Sequence, residues 1–265
     1  MLGLVLGGGA AKGYAHIGAL KVLEEKSIKP DIIVGASMGA LVGGFYAAGF
    51  DAEKLEEIAT KVDKKTKRRL FMPRLSKRGF IDGRNVVKHL SLYLGRQQIE
   101  DLPITYAAVA TDIENEAEIV IDQGDLVQAI RASISIPVVF MPQRCAGRLL
   151  IDGGFVNPLP ISVAQKLGAK KIIAVNVLRK IEYPRFEISP VVSPHRSYNM
   201  QQVFLETFEL ITSRLIDYEV RHLKNGIVVN IDTKGIGMSQ FEEAQKAIDR
   251  GYEETKNVDF TRALG

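Results

Sequence analysis

Val34-Gly35-Ala36-Ser37-Met38-Gly39-Ala40 is the stretch that decides the fold. The short segment Asp31 to Val34 before it predicts a buried strand, and the small, apolar run Ala40 to Gly49 after it predicts a buried helix. A serine between two glycines at a strand-to-helix turn is the G-x-S-x-G pattern. The tight turn strains the serine backbone and holds its hydroxyl above the sheet. Gly35 and Gly39 leave room for the neighbouring backbone. The same seven residues also suit a plain small-residue turn where helix and strand pack closely, so their meaning depends on the rest of the chain.

Upstream, Leu2 to Leu6 is continuously apolar, as a strand covered on both faces would be. Gly7-Gly8-Gly9-Ala10-Ala11-Lys12-Gly13 follows, then a helical pattern from Tyr14 to Lys26 with Ile17, Leu20 and Leu23 on one face. As a dinucleotide fingerprint this glycine loop is poor, because Asp31, at about the right spacing, stands at the amino end of the second strand. As a phosphate-binding P-loop it fails, because Lys12 is followed by Gly13-Tyr14 rather than Ser or Thr. Two readings remain: a tight structural turn, or glycine amides at a helix start that face a developing negative charge.

Downstream, Asp51 predicts a capped helix to about Val62, and Asp82 opens another to Leu94. Strands are expected at Ile104–Ala110, Ala117–Asp122, Arg148–Ile151, Lys171–Val177 and Ile227–Ile231. Helices are expected at Leu126–Ser133, Pro160–Leu167, Tyr198–Leu223 and Phe241–Tyr252. Residues 181–197, with three of the ten prolines, read as a loop. This alternation predicts an α/β protein, a three-layer α/β/α arrangement around a mostly parallel central sheet. Ligands in such sheets sit at the carboxyl ends of the strands, where the glycine loop, Ser37 and Asp152-Gly153 all fall.

A serine nucleophile needs a base. The histidines are His16, His89, His195 and His222. His16 and His89 lie inside helices, and neither His195 nor His222 sits in the short strand-to-loop setting of a hydrolase triad. Asp152, between Leu149-Leu150-Ile151 and two glycines, is held at a strand end with little local bulk.

Together, the loop Gly7–Gly13, the turn Gly35-Ala36-Ser37-Met38-Gly39 and Asp152-Gly153-Gly154 resemble the three signatures of patatin-like phospholipases, in order and spacing. Ala129-Ile130-Arg131-Ala132-Ser133 with Ser135-Ile136-Pro137 is also similar to bacterial members. The resemblance covers residues 3 to 178. It implies a catalytic core over 1–178, with 179–265 as a C-terminal extension packed on the same domain. It further implies a lipid acyl hydrolase in which Ser37 is the nucleophile, Asp152 the base, and the amides of Gly8, Gly9 and Ala10 the oxyanion hole. Lys12 stands where arginine is more frequent, and Ala10 where many members carry a third glycine. No metal or cofactor is implied. A histidine-dependent serine esterase and a non-catalytic adaptor on the same fold are the alternatives.

Composition agrees with a globular domain: 46% of the 265 residues are hydrophobic and 25% charged. A single cysteine, Cys145, excludes a disulfide framework. The N-terminus reads as a first strand rather than a signal peptide, and no apolar run reaches the roughly 20 residues that span a bilayer, so a cytoplasmic protein is expected. The net charge of +4 is uneven. Lys61 to Arg78 holds nine Lys or Arg against Asp63, a local +8 that leaves −4 elsewhere. With Leu70, Phe71 and Met72 set inside it, this segment reads either as a solvated linker or as a lid that meets anionic membrane. No recognised motif points to nucleic acid.

Overall fold

A computed structural model describes residues 1–62, 65–66, 70, 81–178 and 199–264. Most of the basic segment Lys61–Arg78 and the loop 181–197, His195 included, lie outside the described residues. The strands are β1 (Leu2–Leu6), β2 (Ile32–Ala36), β3 (Thr105–Asp112), β4 (Ala117–Ile121), β5 (Gln143–Cys145), β6 (Arg148–Asp152), β7 (Lys171–Asn176) and β8 (Gly226–Asn230). The helices are α1 (Ala15–Glu25), α2 (Met38–Ala47), α3 (Ala52–Thr60), α4 (Arg84–Leu94), α5 (Leu126–Ser133), α6 (Ile161–Lys166), α7 (Met200–Arg221), α8 (Ala244–Lys256) and α9 (Thr261–Leu264).

Helix starts follow local chemistry. Asp51 accepts the Lys54 N–H at 2.8 Å and Asp125 the Gln128 N–H at 2.8 Å, while Asn199 and Gln202 form a reciprocal capping box at the start of α7. The strands form one mixed sheet, ordered β5-β6-β3-β2-β1-β7-β8, with β4 beside β3. Its body, β3-β2-β1-β7-β8, is parallel. The α/β expectation therefore holds, with one difference at the edge: β4 and β6 run antiparallel to β3, and β5 antiparallel to β6.

Both faces of the sheet are covered. Alternate residues of β1 divide between two cores: Leu4 and Leu6 pack with α1, α2 and α8, whereas Val5 packs with α6 and Ile216 of α7. That alternation makes the three layers. Among the described residues, no helix is long and apolar enough to cross a membrane.

The register on β3 builds the site. Ala108 pairs with Gly35 of β2 and with Ile121 of β4, and Ala110 pairs with Asp152 of β6 and with Ile119 of β4. A strand has two edges, so β2 and β6 share the edge opposite β4. They meet there end to end, Ala36 opposite Val109 and Asp152 opposite Ala110. Residues 37 and 152, more than a hundred apart in the chain, are thereby brought together.

Candidate active site

Ser37 occupies the turn between β2 and α2 with φ 53° and ψ −124°. A side-chain-bearing residue there carries strain of about 1–3 kcal/mol, which the surroundings must hold. Part of that hold comes from Ser133 at the end of α5. Its hydroxyl accepts the Ser37 N–H at 2.9 Å and donates to the Val109 carbonyl at 2.6 Å. The other part is close packing. A methyl group at Gly39 would stand 2.0 Å from the Leu6 carbonyl oxygen, so only glycine lets α2 lie this near β1. Gly35 lies within β2, opposite Ala108. Ser37 is 2% exposed and sits at the positive N-terminal end of α2.

Asp152 ends β6 and is fully buried. Its N–H donates to the Ser135 carbonyl at 3.1 Å, and its own carbonyl accepts the Thr111 hydroxyl at 2.8 Å. Oδ1 accepts the Gly154 N–H at 2.8 Å. Oδ2 has no partner in hydrogen-bond geometry among the described residues. Gly153 is required by close approach, since a methyl there would lie 2.1 Å from the Val109 carbonyl oxygen. Phe155 just beyond it packs against Phe208 of α7, with ring centres 4.5 Å apart and planes tilted by 40°, which helps exclude water. Burial pushes the Asp152 carboxyl up to about 7, against the pull of the nearby Ser37 hydroxyl and the Gly154 N–H. The Ser37 hydroxyl thus favours the carboxylate without yet being aligned in a formed hydrogen bond with it.

The glycine loop enters a short 3₁₀ turn, Ala10–Tyr14, that runs into α1. Its amides divide. Gly7 N–H donates to Val175 at 3.0 Å and Ala11 N–H to Met238 at 3.1 Å. Gly8 N–H donates to the Pro158 carbonyl at 2.8 Å, so of the three amides expected to face an oxyanion this one is engaged within the protein. The N–H groups of Gly9 and Ala10 meet no protein acceptor among the described residues. Ala10 adopts φ 46°, a conformation that glycine reaches without strain. Gly13 is buried within the turn. Lys12, 7% exposed, pairs with Glu209 of α7 and ties the loop to that helix.

Of the described histidines, His16 and His222 stand apart from Ser37, while His89 lines the apolar cavity that opens beside it. His16 is fully buried, its Nε2 is 2.7 Å from the Gly7 carbonyl oxygen, and burial lowers its pKa to about 4. His222 is exposed at the end of α7, with Nδ1 2.8 Å from the Tyr218 carbonyl oxygen. Neither arrangement presents a base to Ser37. Among the described residues, no group of His, Cys, Asp and Glu is arranged to hold a metal ion.

Beside Ser37 opens a cavity of about 130 Å³ with an apolar wall. Met38, Leu41, Val42 and Phe45 of α2 line one side, and residues of α3 and α4 line the other. Sequence reasoning missed Ser133, Glu209 and Phe208. The block around Ser133 carried a resemblance but no role, and the two α7 residues carried no local signal at all.

The model of the family described as patatin-like phospholipase matches residues 4–164. An uncharacterized NTE family protein of Mycobacterium tuberculosis is 37% identical over 214 residues, 80% of this chain and 58% of that protein. The neuropathy target esterase of Drosophila melanogaster is 38% identical over 182 residues, and lysophospholipase NTE1 of Candida albicans 35% over 179; each match covers 66% of this chain and 13% of the relative. The chain thus spans little more than half of the mycobacterial relative and a small part of the other two. VipD from Legionella pneumophila shares the fold, with a TM-score of 0.51 at 15% identity over 96% of this chain and 65% of that one. By the family match and the mycobacterial likeness, this chain belongs to the patatin-like phospholipase family.

Proposed function

We propose that the protein hydrolyses carboxylic esters of lipids with a Ser37–Asp152 dyad, through an acyl-enzyme. One observation carries this reading: a serine held at positive φ at a helix start meets a buried carboxylate, across the end-to-end junction of β2 and β6. Asp152 takes the Ser37 proton as Oγ attacks the ester carbonyl. The resulting oxyanion faces the free N–H groups of Gly9 and Ala10, where each such donor is worth about 100- to 1000-fold in rate. Collapse breaks the ester C–O bond, and the departing alcohol takes the proton from Asp152. Water then attacks the acyl-Ser37, gives its proton to Asp152, and releases the fatty acid as the proton returns to Ser37. A carboxyl poised near 7 is a far better base than an ordinary aspartate.

Two of the relatives are named as an esterase and a lysophospholipase, which supports a lipid with a single acyl chain as substrate. Residues 1–178 carry the reacting groups, and α7 of the C-terminal extension closes over them through Phe208 and Glu209. The charge of Lys61–Arg78 supports peripheral contact with anionic membrane; each nearby Lys or Arg contributes about 1 kcal/mol at such a surface. Sedimentation with neutral and with anionic vesicles, at low and high salt, checks that contact.

The hydrolase reading is tested with a lysophospholipid panel and fluorophosphonate labelling of wild type, Ser37→Ala and Asp152→Asn. Folded variants that keep wild-type hydrolysis refute it. His195→Ala and His222→Ala are expected to retain activity, and its loss in either would restore a histidine triad.

A further inference from the structure

The cavity beside Ser37 has a length as well as a wall. Its lining on α2 runs Met38, Leu41, Val42, Phe45, the i, i+3, i+4, i+7 stripe of one helix face. From Ser37 to Phe45 the helix advances about 12 Å, at roughly 1.5 Å per residue. At the far end the wall turns aromatic. Phe45 and Tyr93 have ring centres 6.2 Å apart, and His89 and Tyr93 5.4 Å apart, and all three line the cavity.

An extended hydrocarbon chain advances about 1.25 Å per carbon, given a C–C bond of about 1.5 Å. About 12 Å therefore holds about nine or ten carbons.

We propose that this cavity receives the acyl chain of the ester attacked by Ser37 and measures it, favouring one straight chain of about eight to ten carbons. The proposal rests on Ser37 acting as nucleophile. The wall offers no hydrogen-bond partner to a headgroup along its α2 face, so the polar part of the lipid stays on the glycine-loop side of Ser37. Each methylene that enters the cavity strengthens binding by up to about fourfold, and carbons beyond Phe45 and Tyr93 gain nothing unless the aromatic end moves.

The test is a series of 4-nitrophenyl esters from butanoate to hexadecanoate, with kcat/KM measured for each on wild type, Val42→Phe and Tyr93→Ala. For wild type, kcat/KM is expected to climb to octanoate or decanoate and to fall at least tenfold by hexadecanoate. Val42→Phe fills the cavity midway and should move the optimum to shorter chains, while Tyr93→Ala opens the far end and should move it to longer ones. Circular dichroism identifies a variant that fails to fold, and the other variant then decides. A flat profile, a wild-type optimum at hexadecanoate, or an optimum that stays put in folded variants overturns the proposal. Calorimetry of Ser37→Ala with decanoate and hexadecanoate separates the two readings. If wild type hydrolyses no ester while Ser37→Ala still prefers decanoate, the hydrolase reading falls and the cavity remains an acyl site. If Ser37→Ala binds neither acid, or both alike, the measuring cavity falls even where esters are cleaved.

Discussion

Replacing Asp152 by asparagine should abolish hydrolysis and, at alkaline pH, stabilise the protein. The carboxyl is fully buried, and burial raises it from an ordinary 3.8 to about 7. Between those values the folded protein holds a proton that the unfolded chain has lost. Stability must therefore fall as pH rises through that window and level off above about pH 7. At about 1.36 kcal/mol per pH unit, the full effect is about 4 kcal/mol, of which about 3 falls between pH 5 and pH 8. Asparagine keeps the oxygen that accepts the Gly154 N–H and never ionises. The stability difference between Asp152→Asn and wild type should thus grow by about 3 kcal/mol from pH 5 to pH 8, whatever constant offset the amide brings. For a domain of this size that is about 6–12 °C in Tm. Urea unfolding of both proteins at the two pH values measures it, and the wild-type pH–rate profile is the companion assay. As the base ionises, kcat/KM should rise about tenfold per pH unit up to about 7. A stability gap that does not change with pH, or a rate profile whose acid limb lies near 4, would refute a buried, raised carboxyl at 152.

Three further outcomes follow from the same geometry. Ser133→Ala leaves the buried Ser37 N–H without its acceptor, a loss of about 1–3 kcal/mol; kcat should fall about 10- to 100-fold with little change in KM, and Ser133→Thr should recover much of it, as steady-state kinetics will read. Lys12→Met should destabilise by about 3 kcal/mol, because it strands Glu209 in a largely covered site, and adding Glu209→Leu should return part of that in a denaturant double-mutant cycle. Gly39→Ala puts a methyl 2.0 Å from the Leu6 carbonyl oxygen, and it should unfold the domain or cost more than about 4 kcal/mol by thermal melt.

Local chemistry was enough to read most elements. The glycine-flanked serine, the apolar runs of β1, β2 and β7 and the capping residue Asp51 each act within a few residues of themselves, so their consequences are visible in order along the chain. The resemblance then singled out Ser37 and Asp152. The strand direction of β6 was not legible, because a short apolar run such as Leu149-Leu150-Ile151 looks the same in either orientation. Nor was the engagement of Gly8, whose acceptor, Pro158, lies 150 residues away.

By itself, then, the chain determined where a strained serine, an amide-rich loop and a carboxylate would fall at strand ends, since turn sterics and periodic hydrophobicity are local. Only the tertiary structure decided how they come together. The junction of β2 and β6 on one edge of β3 sets Asp152 beside Ser37, Phe155 and Phe208 shield it from water, Ser133 holds the Ser37 turn, and α2, α3 and α4 enclose the apolar cavity. Each of these is a contact between distant segments, and a carboxyl near 7 in place of 3.8 is the physical sum of that enclosure.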